Sequence, residues 1–184
     1  AKDKVNKALE LDPKSTDAEN LKKLIDEQSA SILQESSVSD FPLFLGLDLI
    51  KKNFKAKQMS LSSGKLLLLD PDTKTLVLVD LAKKSNQILA GGSQLGEGVM
   101  ASLNGGLAFV YSKDKGILKI DSTNQKVSTV AKKDDDWGNI QDLYGFAGNI
   151  YLLDSTKHQI WKYLPTSDGY SDKREYLTKD TKVD

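Results

Sequence analysis

Gly64, Gly106 and Gly148 stand 42 residues apart, and six residues after each comes Asp70, Ser112 or Asp154. A fixed period of this length marks a chain built from stacked copies of one supersecondary unit. Each period also holds several short apolar runs separated by turn residues, which is the pattern of strands rather than helices. A small sheet cannot bury two apolar faces by itself, so the copies must stack on one another. Four short strands per unit predict the blades of a β-propeller.

The turns place the strands. The first blade, residues 57–98, is expected to run Gln58 to Leu61, Lys65 to Leu69, Thr75 to Leu81 and Ser85 to Ala90. The second, residues 99–139, is read as Val99 to Leu103, Leu107 to Tyr111, Gly116 to Asp121 and Lys126 to Ala131. The third, residues 140–178, is read as Ile140 to Phe146, Asn149 to Leu153, Gln159 to Leu164 and Arg174 to Thr178, followed by a polar C-terminal tail. Gly64, Gly106 and Gly148 suit tight turns that need positive φ. Asp70, Ser112 and Asp154 have short side chains able to cap the backbone amides of the next turn. These six residues are marks of the repeat rather than a site.

Residues 1–36 differ in kind: they are rich in Ala, Leu, Glu and Lys and contain no glycine. Val5, Ala8, Leu9 and Leu11 give a short apolar face before Pro13, and Thr16-Asp17-Ala18-Glu19 reads as a capping box for a second helix. Leu21, Leu24, Ile25, Ile32 and Leu33 continue at helical spacing, so a helical hairpin is expected. The run Ala8-Leu9-Glu10-Leu11-Asp12-Pro13 resembles the junction between tetratricopeptide repeats, which implies that the first helix is the tail of a repeat beginning upstream. A plain helical spacer ended by Asp-Pro fits the same residues. Residues 37–56 read as a polar linker, with the apolar run Phe41-Pro42-Leu43-Phe44-Leu45 as a closing edge strand.

The stretch from Gly148 through Asp154 and His158 to Tyr163 resembles an NHL repeat: a glycine, an apolar strand ending in aspartate, a short polar turn, then an isoleucine-led strand. Gly64 to Asp80 is a looser copy, and Gly106 to Asp121 carries Ser112 where the aspartate would stand. The resemblance, to NHL-like and WD-like propellers, implies the fold and leaves the function open. Such propellers include protein scaffolds, RNA binders, lactonases and lyases.

Composition narrows the classes. Lys+Arg and Asp+Glu both number 26, so no net charge draws the chain to nucleic acid or an anionic membrane. There is no cysteine, which excludes disulfides, thiol nucleophiles and thiolate metal sites. No apolar run approaches the length that spans a bilayer. A cysteine-free chain suits the bacterial cytoplasm and the envelope alike. The start at Ala1, inside a repeat unit, reads as an excised part of a longer protein. Closed propellers usually hold roughly four to eight blades, so three leave open edges that must be paired or covered. Self-association through those edges is one solution, and further blades after Asp184 are another.

His158 is the only histidine, and any catalytic triad would have to be built around it. Its place in a polar turn favours a solvated role. Asp134, Asp135 and Asp136 form the dense acidic run; consecutive carboxylates diverge, so calcium is a weaker reading for them than a solvated interblade loop. Trp137 beside them, with Lys113, Lys157 and His158 on the same rim, suits a protein or peptide partner; packing over its own blade is the alternative for the indole. Trp161 with Tyr163, and Phe109 with Tyr111, share strand parity and suit blade packing. Only Lys157 and Lys162 lie near enough to support base stacking, which disfavours nucleic acid.

Among the inner strands Asp142 is the only carboxylate, which argues against a central catalytic site. The expectation is a mainly β chain with an N-terminal helical hairpin and a partial propeller of three blades, acting as a non-enzymatic interaction or scaffold module of a larger bacterial protein. A fragment of a metal-dependent lactonase or lyase, and an oligomerisation or spacer domain, stand as alternatives. No catalytic residue, metal ligand or cofactor is assigned.

Overall fold

The computed structural model describes residues 1–33, 38–178 and 181, which divide into two compact units at Phe44/Leu45. The first unit holds helices α1 (Lys2–Leu11) and α2 (Thr16–Leu33), packed as a hairpin around the buried Val5. The turn is fixed by Asp12, whose Oδ1 accepts the Lys14 N–H, after which Ser15 Oγ accepts the Ala18 N–H. Ser15 is therefore the N-cap and Thr16 the first helical residue, one position earlier than the expected capping box. Lys2 and Asp26 join the two helices at 2.7 Å. The side chains of Ile32 and Leu33, residues 34–36 of the expected hairpin, residue 37 of the linker, and the tail apart from Thr181 lie outside the described residues.

The second unit is built from three four-stranded antiparallel sheets. Blade one comprises β1 (Gln58–Ser62), β2 (Lys65–Asp70), β3 (Thr75–Asp80) and β4 (Ser85–Gly91), paired in sequence order. Blade two comprises β5 (Gly98–Asn104), β6 (Leu107–Ser112), β7 (Gly116–Asp121) and β8 (Val127–Ala131). Blade three takes β9 (Ile140–Phe146), β10 (Asn149–Asp154) and β11 (Gln159–Tyr163). A small hairpin of β12 (Pro165–Thr166) and β13 (Gly169–Tyr170) follows, and only then the short fourth strand β14 (Arg174–Glu175). The hairpin was not expected, and the fourth strand is shorter than the expected run to Thr178. With their inner strands β1, β5 and β9 side by side, the three sheets form a partial β-propeller.

Two apolar layers weld the blades. Leu67, Leu69, Leu76 and Leu78 of blade one meet Ala101, Leu103, Ala108, Val110, Leu118 and Ile120 of blade two. Phe109 and Ile117 of blade two meet Ile140, Leu143, Ile150, Leu152, Trp161 and Tyr163 of blade three. Enclosing a side chain such as Phe109 contributes about 2 to 3 kcal/mol. Each joint also has a polar clip at its inner strands. Ser60 and Ser62 accept the backbone N–H groups of Leu103 and Gly105 at 2.9 and 3.1 Å. One period later, Ser102 accepts the Gly145 N–H at 2.9 Å, and Asn104 accepts the Gly148 N–H at 3.4 Å.

The outward side of blade one is covered by residues 45–56. Phe54, with Leu45, Leu47, Ile50 and Ala56, packs on Leu66, Leu68, Val77, Val79 and Leu81. Both faces of β2 and β3 are thus buried, which explains their uninterrupted apolar sequences. Lys51 fastens the segment by donating to Thr75 Oγ1 at 2.6 Å and to the Thr73 carbonyl at 3.1 Å. The expected edge strand over Phe41 to Leu45 does not form; Leu45 serves the cap with its side chain, and Pro42 removes a donor that a ladder would need.

Candidate functional site

The aspartates of the repeat close each blade on itself. Asp70 is fully buried; its Oδ2 accepts the Lys55 N–H and the Thr73 hydroxyl, and its Oδ1 accepts the Asp72 and Thr73 N–H groups, all at 2.7 to 3.3 Å. Asp154, equally buried, accepts from the Gly138 N–H at 2.8 Å, the Trp161 indole at 2.9 Å and the Lys157 N–H at 3.1 Å. Each carboxylate ties its own turn to the linker that enters the same blade. A Cβ at Gly138 would stand 2.7 Å from Asp154 Oδ1, so the linker can pass there only as glycine.

Burial alone pushes the Asp70 and Asp154 carboxyls up, but the donors around them outweigh it and hold both below the usual carboxylate value. In blade two the carboxylate has moved along the turn. Asp114 Oδ1 accepts the Glu97 N–H at 2.7 Å and stands 2.5 Å from the Ser112 hydroxyl, whose single proton is shared between this carboxylate and the Leu95 carbonyl at 2.8 Å. The hydroxyl of Ser112 is the first cause of the lowered Asp114 carboxyl. Gly64 and Gly148 adopt φ of 69° and 80° at their turns, whereas in blade two the left-handed residue is Gly105, at 59°, and Gly106 is not.

The expected rim site does not assemble around an exposed indole. Trp137 is only 9% exposed: it packs between blades two and three, its Nε1 donating to the Tyr163 hydroxyl at 3.1 Å and its ring edge-on to Tyr111 at 5.8 Å. An indole so enclosed cannot anchor a partner. Burial pushes the Tyr163 hydroxyl well above its ordinary value, so it remains a neutral partner for the indole.

Lys173 takes up the acidic run, reaching Asp134 at 2.7 Å and Asp136 at 3.1 Å while lying over the Trp161 ring. The hydrogen bond from Lys173 lowers the Asp134 carboxyl. Asp135 stays exposed, as do Lys113, Lys157 and His158. The last has φ of 49° in the β10–β11 turn. Among the described residues, no group of three or more His, Cys, Asp or Glu is arranged to hold a metal.

What sequence reasoning missed is the outward face of blade three. Tyr144, Phe146, Tyr151, Leu153, Ile160 and Tyr176 line an apolar groove of about 460 Å³, with Asp142 at its margin. Tyr144 and Phe146 are each 58% exposed, their rings 6.4 Å apart and 13° from parallel. Tyr151 stands edge-on to Tyr176, and the Lys162 ammonium lies 5.5 and 5.4 Å from their ring centres. β10 shows the consequence in its pattern, burying Ile150 and Leu152 against blade two while Tyr151 and Leu153 remain part-exposed. The period carried the signal: Tyr151 and Leu153 stand one and two periods after Phe109 and Tyr111, and Leu67 and Leu69.

No family model matches the chain, and no curated protein matches it. Among solved structures, a chain of a nidogen/laminin complex is similar over 67% of this chain and 48% of that one, at 14% identity and a TM-score of 0.50. That match is to a propeller structure and shows the fold alone. A protein of unknown function from Bacteroides thetaiotaomicron aligns at 13% identity and a TM-score of 0.49, over 61% of this chain and 32% of that one. The computationally designed Ika4 protein aligns at 10% identity and 0.48, over 66% and 73%. The chain thus spans about half of the nidogen/laminin chain and about a third of the Bacteroides protein. Among the described residues, no helix is long and apolar enough to cross a membrane.

Proposed function

We propose that the chain is a non-enzymatic protein-interaction module built on NHL-type propeller repeats, and that it holds its partner on the outward face of blade three. The observation that carries this reading is the groove of Tyr144, Phe146, Tyr151 and Tyr176, an aromatic surface with one carboxylate and one ammonium at its margin. Aromatic side chains in a concave apolar patch are the usual anchors of protein recognition. The buried carboxylates are committed to the scaffold: Asp70 and Asp154 each use both oxygens to accept from donors of their own blade. This supports a binding role over acid/base or metal-dependent catalysis.

Affinity capture from the source lysate tests the reading with three baits. The wild-type chain and a rim variant, Lys157→Ala with His158→Ala, are expected to capture the same proteins. A face variant, Tyr144→Ser with Phe146→Asn, is expected to lose them. Loss with the rim variant and retention with the face variant would overturn the proposal.

A further inference from the structure

The 42-residue period shows what kind of surface the groove is. In blade one the positions facing the next blade include Leu67 and Leu69, both fully buried; in blade two they are Phe109 and Tyr111; in blade three they are Tyr151 and Leu153. Blade three therefore presents the apolar chemistry that blades one and two bury against another sheet.

Its inner strand breaks the pattern. The clip residues Ser60 and Ser102 are followed one period later by Tyr144, and Ser62 and Asn104 by Phe146. A benzyl group offers no oxygen close to the backbone, so this face cannot accept the N–H groups of a following inner strand as the two internal joints do. Blade one, in turn, cannot receive it as blades two and three receive theirs. Residues 45–56 already cover its β2 and β3, leaving only Met59 and Leu61 of the inner strand open.

A self-complementary arrangement satisfies all three conditions. Asp142 stands opposite Leu153 on β9, and Lys162 opposite Tyr151 on β11, over the Tyr151 and Tyr176 rings, so the two charges flank the central strand of this face from opposite sides. Two copies turned face to face would bring each carboxylate towards the other copy's ammonium while the aromatic rings cover one another. We infer that the occupant of the blade-three face is a second copy of this chain, bound face to face about a two-fold axis through Tyr144, Phe146, Tyr151 and Tyr176. The inference rests on the reading of this face as a protein-binding surface and names its partner.

Sedimentation of the full chain at tens of micromolar tests it. The wild type is expected to be a dimer, and Tyr144→Ser with Phe146→Asn, which restores the side chains of the preceding blade, a folded monomer by circular dichroism. Asp142→Lys alone and Lys162→Asp alone should each weaken the dimer at least tenfold, and the two together should restore it. Met59→Ser with Leu61→Ser should leave the mass unchanged. A monomeric wild type, failure of the double charge swap to restore association, or dissociation by the Met59/Leu61 pair would overturn the second-copy assignment. Those results leave the broader interaction reading to its capture experiment, whereas a face variant that alters neither mass nor capture would overturn both.

Discussion

The two ends of the blade stack have met the same problem differently. Blade one exposes no large face, because Phe54 and its neighbours in residues 45–56 cover Leu66, Leu68, Val77 and Val79. Among the described residues blade three has no such cover, and its equivalent apolar surface is lined mainly with aromatic rings, beside Leu153 and Ile160. A short, non-strand segment can therefore stand in for a whole neighbouring blade, provided that one large side chain fills the space. Where no described residue fills it, the face stays open to solvent. The clip residues follow the same division: Ser and Asn at the internal joints, Tyr and Phe at the open one.

The largest effect should come from unplugging the covered end. Phe54→Ala removes a buried ring and should cost about 3 to 5 kcal/mol of folding stability, measured by urea denaturation. A loss below about 1 kcal/mol would mean that the cap is dispensable and the ends are alike.

Next in size, Asp70→Asn and Asp154→Asn should each cost about 1 to 3 kcal/mol, because an amide cannot accept from all the donors that converge on the carboxylate. Equal costs in the two blades would show that the staple is indifferent to whether its blade is covered.

Acid should then act on both ends together. The folded carboxyls of Asp70 and Asp154 lie below their unfolded value, so their stabilisation is complete above that value and is lost as pH falls through the folded one. The melting temperature should be level from neutrality to about pH 5 and decline below about pH 4. Asp154→Asn should shallow that decline, and an unchanged acid limb would place the titration elsewhere.

The smallest effect on folding belongs to the open end. Phe146→Ala should change stability of the monomer by less than about 0.5 kcal/mol, since its ring has little to lose. A larger loss would show that the ring is part of the blade's own core.

Strand order and most strand limits were legible because buried sheets leave continuous apolar runs and their turns demand Gly, Asn and Asp. The cap was not, since Leu45, Leu47, Ile50 and Phe54 follow neither a helical nor an alternating spacing. They are read by the surface they cover, which lies in another part of the sequence. For Trp137 the sequence left a partner-facing rim and packing over its own blade both open, because three adjacent aspartates marked its loop as wet; the indole turns inward to Tyr163. The β12–β13 hairpin was missed because its strands are two residues each, although Asp168-Gly169 marks the turn. The groove was readable from the period alone, by setting Tyr144 and Phe146 beside Ser60, Ser62, Ser102 and Asn104.

The carboxylate staples join residues only 15 to 17 positions apart. A blade can consequently lock its entering strand as soon as its second turn exists, without waiting for the next blade to be made. On a ribosome, such a chain would acquire its shape in instalments, each finished sheet offering a template for the one that follows. Lengthening or shortening the array by whole periods would then change how many instalments there are, and leave the way each one closes untouched.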